Sequence, residues 1–460
     1  MWFKKFFTGY KEEYKSLLRL GAPVLVAQIG IIVVSFADTM MVGDYGTREL
    51  AAAAFVNNFF MVPVVMLIGF ASGVTPLVGA LFGRKDNFGT GRMLRASLCV
   101  NIVMALLMTI IMGVLFFFVD RLGQPAELMP LVRPYYLLVL AGIVPMALYN
   151  CCQQTASGVT DTALPMWVML GANVLNIFGN WLLIYGHWGC PELGLTGAGI
   201  STLVSRTLAA AVIMRIVCFG RRYSVYHEGL RTSGKLLSLM RKVWVTSYPI
   251  MVQNGVECFL WAFGAVVSGW FGTIQLASYQ VVNTMAQLGF MTFISFGVAT
   301  SIRVANYMGT GDFTGIRRIS VAGLRLNLVL GTLASLIFIF GGRHIICLFT
   351  PNEEVVSAAV LLIVPLVLYQ YGDAVQLTYS NALRGTSHVQ PLLWISTLSY
   401  VVIGVPLLLL FAKGFGWRNV GVYYSFPIAL FSAAVFLYLS FKRTVARAER
   451  EIAPQTTEMQ

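Results

Sequence analysis

The sequence predicts an all-α polytopic membrane protein. Twelve transmembrane helices are expected, in two six-helix bundles related by a pseudo-two-fold axis along the membrane normal. Three observations support this: a charge-poor composition, a succession of apolar segments of spanning length, and an internal repeat. Of the 460 residues, 57% are apolar and only 11% are Asp, Glu, Lys or Arg, against about 25% charged in an average soluble domain. That is too little charge to cover a soluble protein of this length. The same composition excludes disordered, coiled-coil and collagen-like chains. Seven scattered cysteines do not make a disulfide scaffold.

A bilayer core about 30 Å thick requires roughly 20 apolar residues per helix. In chain order such segments run over 17–41, 50–81, 94–118, 130–150, 165–186 and 195–219. A second set runs over 240–268, 276–306, 320–341, 356–380, 391–412 and 420–441. The organisation expected from them is an N-terminal bundle over 1–225, a cytoplasmic linker over 226–239, and a C-terminal bundle with a basic cytoplasmic tail over 240–460. The stretch from Met1 to Arg19 is basic and aromatic and runs straight into a full-length span, unlike a cleaved leader.

The basic residues set the orientation. Six of the 32 Lys and Arg fall in one set of loops: Arg48, Arg121, Arg133, Arg343, Lys413 and Arg418. Arg206 lies inside a span, and the rest fall on the side that carries both termini. They include Lys4, Lys5, Lys11, Lys15, Arg19, Arg84, Lys85, Arg92, Arg95, Arg221, Arg222, Arg231, Lys235, Arg241, Lys242, Arg317, Arg318 and Lys442. An excess of this kind marks the cytoplasmic face. It also accounts for the net charge of +13 without a nucleic-acid partner, because the basic residues cap apolar spans.

The two halves repeat at an offset of 226 residues. Pro23 aligns with Pro249, Gly43 with Gly269, Gly46 with Gly272, Val56-Asn57 with Val282-Asn283, Phe70 with Phe296, Asp86 with Asp312 and Gly89 with Gly315. Later the register slips by one, so that Gly158 matches Gly385. An even number of spans per repeat means that both copies enter the membrane in the same sense, a known transporter plan. Between the halves lies RRYSVYHEGLRTSGKLLSLM, expected to hold a short amphipathic surface helix. Its GLRTSGK stretch, Gly229 to Lys235, is followed by Leu236 where a phosphate-binding loop needs Ser or Thr. No ATP is therefore expected.

Acidic groups inside apolar spans are the functional candidates, since a carboxylate there usually faces a cavity, a partner or an ion. Glu257 lies in span seven and Asp373 in span ten. Tyr369 and Gln376 share the Asp373 helix face. Asp38 lies near the end of span one, and Asn176 and Asn180 share a face of span five; they meet Asp38 only if those spans are neighbours. Asp161 reads as a cap or turn residue at the surface. Phe259, Trp261, Phe263, Tyr279, Gln280 and Gln376 are candidates for a substrate-cavity lining. The four histidines are isolated and lack metal-ligand spacing. Cys151-Cys152 is not a redox pair, and no G-x-S-x-G elbow occurs. No enzyme and no cofactor are expected.

Several stretches resemble one family. They are APVLVAQIGIIVVSFADTMMVGDYGTRELAAAAF, PELGLTGAGISTLVSR, PIMVQNGVECFLWAFGAVVSGWFGTIQLASYQ and YGDAVQLTYSNALRGTSHVQP. Together they are similar to the MATE (multidrug and toxic compound extrusion) transporters, of the NorM-like branch. The resemblance implies export of amphipathic, often cationic compounds in exchange for Na⁺ or H⁺, with Na⁺ favoured. It implies a cation site at Glu257, Asp373 and Tyr369, and a polar site of the first bundle at Asp38 with Asn176 or Asn180. Two features depart from the family pattern. Span five carries no acidic partner for its asparagines, and Ser387-His388 follows Leu383-Arg384-Gly385 where Lys-Asp is common. The expected setting is a bacterial inner membrane, with membrane lipid around a functional monomer and both termini in the cytoplasm. A lipid or lipid-linked oligosaccharide flippase and a non-transporting scaffold are the alternatives. A flippase would favour many basic groups at membrane depth, whereas Arg206 alone is plainly within a span.

Overall fold

A computed structural model describes residues 9–121, 125–232, 234 and 236–457. Lys4, Lys5 and Lys235, counted above on the basic side, lie outside the described residues. All twelve expected spans are helical. They are α1 (Lys11–Tyr45), α2 (Thr47–Gly83), α3 (Asn87–Phe116), α4 (Met129–Gly158), α5 (Ala163–Ile184) and α6 (Gly194–Phe219). Then come α7 (Leu236–Gly269), α8 (Thr273–Thr310), α9 (Phe313–Phe349), α10 (Ile363–Gly385), α11 (Gln390–Gly414) and α12 (Arg418–Glu451). A short helix, Glu353–Val360, leads into α10 at an angle of 48°. Most helices exceed the apolar segment read from sequence, because amphipathic turns extend them into the interface. Asp38, expected near a span end, thus lies nearly two turns inside α1.

The chain divides into two compact units. One is Val26–Met251, and the other is Met1–Leu25 with Val252–Gln460. The two points of division are themselves 226 residues apart, each just beyond the proline inside α1 or α7, Pro23 or Pro249. A proline lacks the N–H that continues the helical ladder and crowds the preceding turn, so it bends a helix where it sits.

The repeat is visible in matched local geometry. Asp86 caps α3 by accepting from Gly89 N at 2.7 Å, and Asp312 caps α9 by accepting from Gly315 N at 2.8 Å. Each cap satisfies an otherwise orphaned N–H of the first turn. At the later register, a Cβ on Gly158 would lie 3.1 Å from Thr75 O and 2.8 Å from Val78, and one on Gly385 would lie 2.7 Å from Ser301 O and 2.8 Å from Val304. Thr75 and Ser301, and Val78 and Val304, are equivalents at the offset of 226. Glycine is required at both places because two backbones pass within contact distance.

Small side chains line the helix crossings, and large apolar ones point outward. Ala52, Ala96, Ala105, Ala299 and Ala322 are fully buried, whereas Ile110, Phe340 and Leu348 are 63%, 81% and 85% exposed. This inversion of the soluble pattern follows from the solvent. Lipid offers no hydrophobic drive between helices, so close packing of small residues joins them while bulky residues face the acyl chains.

The linker holds short surface helical turns with one face buried. Its helical turn, His227–Arg231, is pressed onto the start of α3. A Cβ on Gly229 would stand 2.0 Å from Phe88 O, and one on Gly91 would stand 2.0 Å from Tyr226 O. Arg95 donates to Arg231 O at 3.0 Å, and Arg92 donates to Gly234 O. Asp161 accepts from Leu164 N at 3.3 Å, as a cap does, and also binds this linker. Its Oδ2 lies 2.8 Å from the Arg222 guanidinium and accepts from Tyr223 Oη at 2.9 Å.

Candidate functional site

In the unit that contains the second half, α10 packs against α8, α9 and α12. Burial on several sides places its polar stripe out of reach of lipid. Tyr369, Gln370, Asp373 and Gln376 are all buried. Room for the stripe comes from glycines of α8: a Cβ on Gly289 would lie 2.1 Å from Gln370 Oε1, and one on Gly297 would lie 2.7 Å from Asn381 Nδ2.

Both carboxyl oxygens of Asp373, and both side-chain amide atoms of Gln370 and Gln376, are buried without a hydrogen-bond partner among the described residues. Burying such groups unpaired costs about 1–3 kcal/mol apiece, so the cluster is organised around something other than its own hydrogen bonds. Glu257, partly buried on α7, is an electrostatic neighbour of Asp373. Tyr369 stands one turn before Asp373, with its ring edge-on to Trp261 at 5.1 Å.

Arg384, in the last turn of α10, lies opposite. It donates to Gln253 Oε1 at 3.0 Å and Asn254 Oδ1 at 2.9 Å, and its charge acts on Glu257. Gln253 in turn donates to Ser380 Oγ at 2.8 Å. Arg384 is thus a buried basic side chain at helix depth, whereas Arg206 is partly buried. Sequence reading placed it beyond the end of span ten because its apolar run stops at residue 380. The stretch Thr397–Gly404 of α11 is π-helical. It carries the buried Tyr400 hydroxyl, which has no hydrogen-bond partner among the described residues and is an electrostatic neighbour of Glu257, Asp373 and Arg384. A wide turn of this kind re-aims a side chain and recurs at functional sites. Sequence reading missed Tyr400; Gly404 and Pro406 inside an apolar span were the available signal.

The remaining lining candidates part company. Trp261 packs on Tyr369 and on Phe426, at 5.1 and 4.4 Å, and so borders the carboxyls. Tyr279 is buried and donates to Trp261 O at 2.9 Å, which ties α8 to α7. Phe259 is half exposed and stacks on Phe263, and Gln280 is exposed. Neither lies among the groups around Asp373.

In the other unit, α1 and α5 are neighbours, so the condition on Asp38 is met. Gly30 of α1 opens the approach, since a Cβ there would lie 2.9 Å from Asn173 Nδ2 of α5. Asn180 donates to Asp38 Oδ1. With its nitrogen facing the carboxylate, Asn176 donates to the same oxygen at 2.9 Å and accepts from Thr202 Oγ1 at 3.2 Å. Arg206 of α6 acts on Asp38 through its charge, and Tyr135 lies close to both. Tyr135 also donates to Asn57 Oδ1 at 3.4 Å. Arg206 was recognised from sequence as an intramembrane base, but its partner was not.

The two clusters differ chemically. Asp38 is met by amide donors and a cation, whereas Asp373 lies beside a second carboxyl and the Tyr369 hydroxyl. No three His, Cys, Asp or Glu side chains converge as a metal-holding group among the described residues. Two carboxyls with a tyrosine suit one monovalent cation or a proton. Hard oxygen ligands suit Na⁺, and like charges held together favour protonation of one of them.

Comparison with known proteins follows the same lines. The MatE family model matches residues 23–182 and 249–410, two stretches that begin 226 residues apart, the offset of the internal repeat. A relative from Rhizobium meliloti, "Probable multidrug resistance protein NorM", is 27% identical, with 95% of each chain covered. "Multidrug resistance protein NorM" of Vibrio vulnificus is 26% identical, covering 86% of this chain and 87% of its own. The fold is similar to that of the eukaryotic MATE transporter AtDTX14, with a TM-score of 0.86 at 21% identity over 96% of this chain and all of the other. It is also similar to the Vibrio cholerae MATE transporter VcmN in its bent form, with a TM-score of 0.84 at 17% identity over 96% and 99% of the two chains.

Proposed function

Since this chain belongs to the MatE family, we propose that it is a multidrug exporter, driving amphipathic, often cationic compounds out of the cytoplasm in exchange for a cation. The coupling site is Glu257 and Asp373 with Tyr369. The observation that carries the assignment is the pair of buried, unpartnered Asp373 oxygens beside a second carboxyl. Na⁺ is the coupling ion, held by these oxygens. Its binding relieves the repulsion between the carboxyls and favours one conformation of the transporter. Substrate taken from the cytoplasm favours another. Exchange is productive because each ligand binds the two states with different affinity. Arg384 limits the cost of keeping a charged Glu257 at membrane depth when the cation has left. The Asp38 cluster, already supplied with donors and a counter-charge, serves as a polar site of its unit. The transporter works as a monomer, without ATP, in a bacterial inner membrane with both termini in the cytoplasm.

The test is efflux of an ethidium-like dye from proteoliposomes, with the Na⁺ and pH gradients imposed separately at clamped potential. An inward Na⁺ gradient at fixed pH is expected to drive efflux. Glu257→Gln and Asp373→Asn are each expected to abolish it while the protein stays folded in the membrane. Efflux driven by a pH gradient in Na⁺-free buffer, and indifferent to added Na⁺, would replace Na⁺ by a proton at the same carboxyls. Wild-type transport by both variants would remove the site altogether. Phospholipid scrambling without dye movement would make the protein a flippase.

A further inference from the structure

An open groove of about 760 Å³ runs between α3 and α7, lined by Val100, Val103, Leu237, Ser238, Met240, Arg241 and Trp244. Pockets for small molecules occupy roughly 300–1,000 Å³. Leu237, Arg241 and Trp244 are spaced four and three apart, so a cation lies in the middle of an apolar helical stripe. Leu237 is 80% exposed and Trp244 is 40% exposed. Arg241 is exposed and has no ion pair, hydrogen bond or ring contact among the described residues. Lys242 beside it is likewise exposed. The neighbouring arginines of α3 are committed, since Arg92 donates to Gly234 O and Arg95 to Arg231 O.

The arrangement has the polarity of one kind of ligand. Arg241 lies in the second turn of α7, next to the basic linker, while Val103 lies on α3 well beyond Arg92 and Arg95. The Trp244 indole packs edge-on against Phe70 at 5.5 Å, and tryptophans near the start of a span are the kind of residue that marks a membrane boundary. A long arginine at such a level extends its head to the interface and leaves its stem on apolar surface. We propose that this groove is a binding site for one diacyl phospholipid with an anionic headgroup. Its phosphate is held by Arg241, and an acyl chain lies along Val100, Val103 and Trp244. The lipid is a resident of the α3–α7 groove and not the transported compound.

Brominated phospholipids quench tryptophan fluorescence on contact, and the signal from Trp244 is the difference between the wild type and Trp244→Phe. The protein is reconstituted in phosphatidylcholine vesicles with a rising fraction of brominated phosphatidylglycerol or, in parallel, brominated phosphatidylcholine. In the wild type the anionic lipid is expected to win at this tryptophan by about fivefold, the preference conferred by one basic residue near an anionic phosphate. Arg241→Gln is expected to bring that ratio to about one, and Arg241→Lys to retain most of it. Val103→Phe, which fills the groove and keeps the charge, is expected to weaken quenching by both lipids. Equal quenching by the two lipids in the wild type, or a preference that survives Arg241→Gln, would overturn the proposal.

Discussion

A carboxylate, a guanidinium and two amides at membrane depth form one electrostatic unit around Glu257, and their energies do not separate. Arg384 is buried and holds Gln253 and Asn254 while it faces Glu257. Removing one member of such a buried set leaves the others uncompensated, at a cost of about 3–5 kcal/mol. Replacing both charges with neutral groups costs much less. Arg384→Met is therefore expected to lower thermal stability in detergent sharply, and adding Glu257→Gln is expected to restore part of the loss. The cycle measures a coupling of about 0.5–3 kcal/mol between the two sites. Strictly additive melting shifts would mean that Arg384 serves only the amides. Asp373 behaves differently, because its neighbours are a second carboxyl and the Tyr369 phenol. Asp373→Asn is expected to leave stability unchanged or raised while coupled export is lost, the signature of a group kept for a ligand.

At the scale of elements, the segment between α6 and α7 acts as a clasp on unit Val26–Met251. Its contact with α3 is a glycine crossing. Gly229→Ala forces a Cβ against the Phe88 carbonyl, and backbone must shift, at a cost of about 1–3 kcal/mol. Gly234→Ala meets nothing within 4 Å and serves as the control. Equal melting temperatures for the two variants would deny the clasp. The same segment gives a pH dependence. Burial, then the neighbouring Asp161 carboxylate, pushes the Tyr223 phenol above its ordinary range. Above about pH 10 the unfolded chain loses this proton first, so the folded form holds more protons and stability falls as pH rises. Thermal stability is expected to decline through that alkaline window, and less steeply in Tyr223→Phe. An identical decline in the variant would place the sensitivity elsewhere.

For the whole molecule, the uneven distribution of Lys and Arg has a topological consequence. Loops around Asp44 and Arg343 belong to the face poor in basic residues, and the clasp belongs to the rich one. Cysteines placed at Asp44 and Arg343, on a background without the native cysteines, are expected to react with an impermeant thiol reagent added to intact cells. One at Arg231 is expected to react only after permeabilisation. The reverse pattern would invert the membrane orientation, and with it the direction of export. The seven native cysteines must be removed first, since Cys347 is exposed.

Some of this was settled by sequence alone, and the division has a physical cause. Chain composition decided that the solvent is lipid, because apolar fraction and charge count do not depend on folding. The spans followed from the length of apolar runs, and the repeat from matched Pro, Gly and Asp, the glycines and aspartates now appearing as crossings and caps. Glu257, Asp373, Tyr369 and Asp38 could be singled out because a charged or polar group in an apolar run is conspicuous wherever the helix goes. Which groups face one another was decided only by packing. Asp38 meets Asn180 and Asn176 because α1 lies beside α5, and no local pattern encodes that choice. Arg384 and Tyr400 reached the Glu257 cluster by a helix longer than its apolar run and by a π-helical turn. Phe259 and Tyr279 could not be sorted from sequence either, since one helical period is compatible with lipid, core or cavity. Only neighbouring helices distinguish those surroundings, and they also place Arg241 in the groove between α3 and α7.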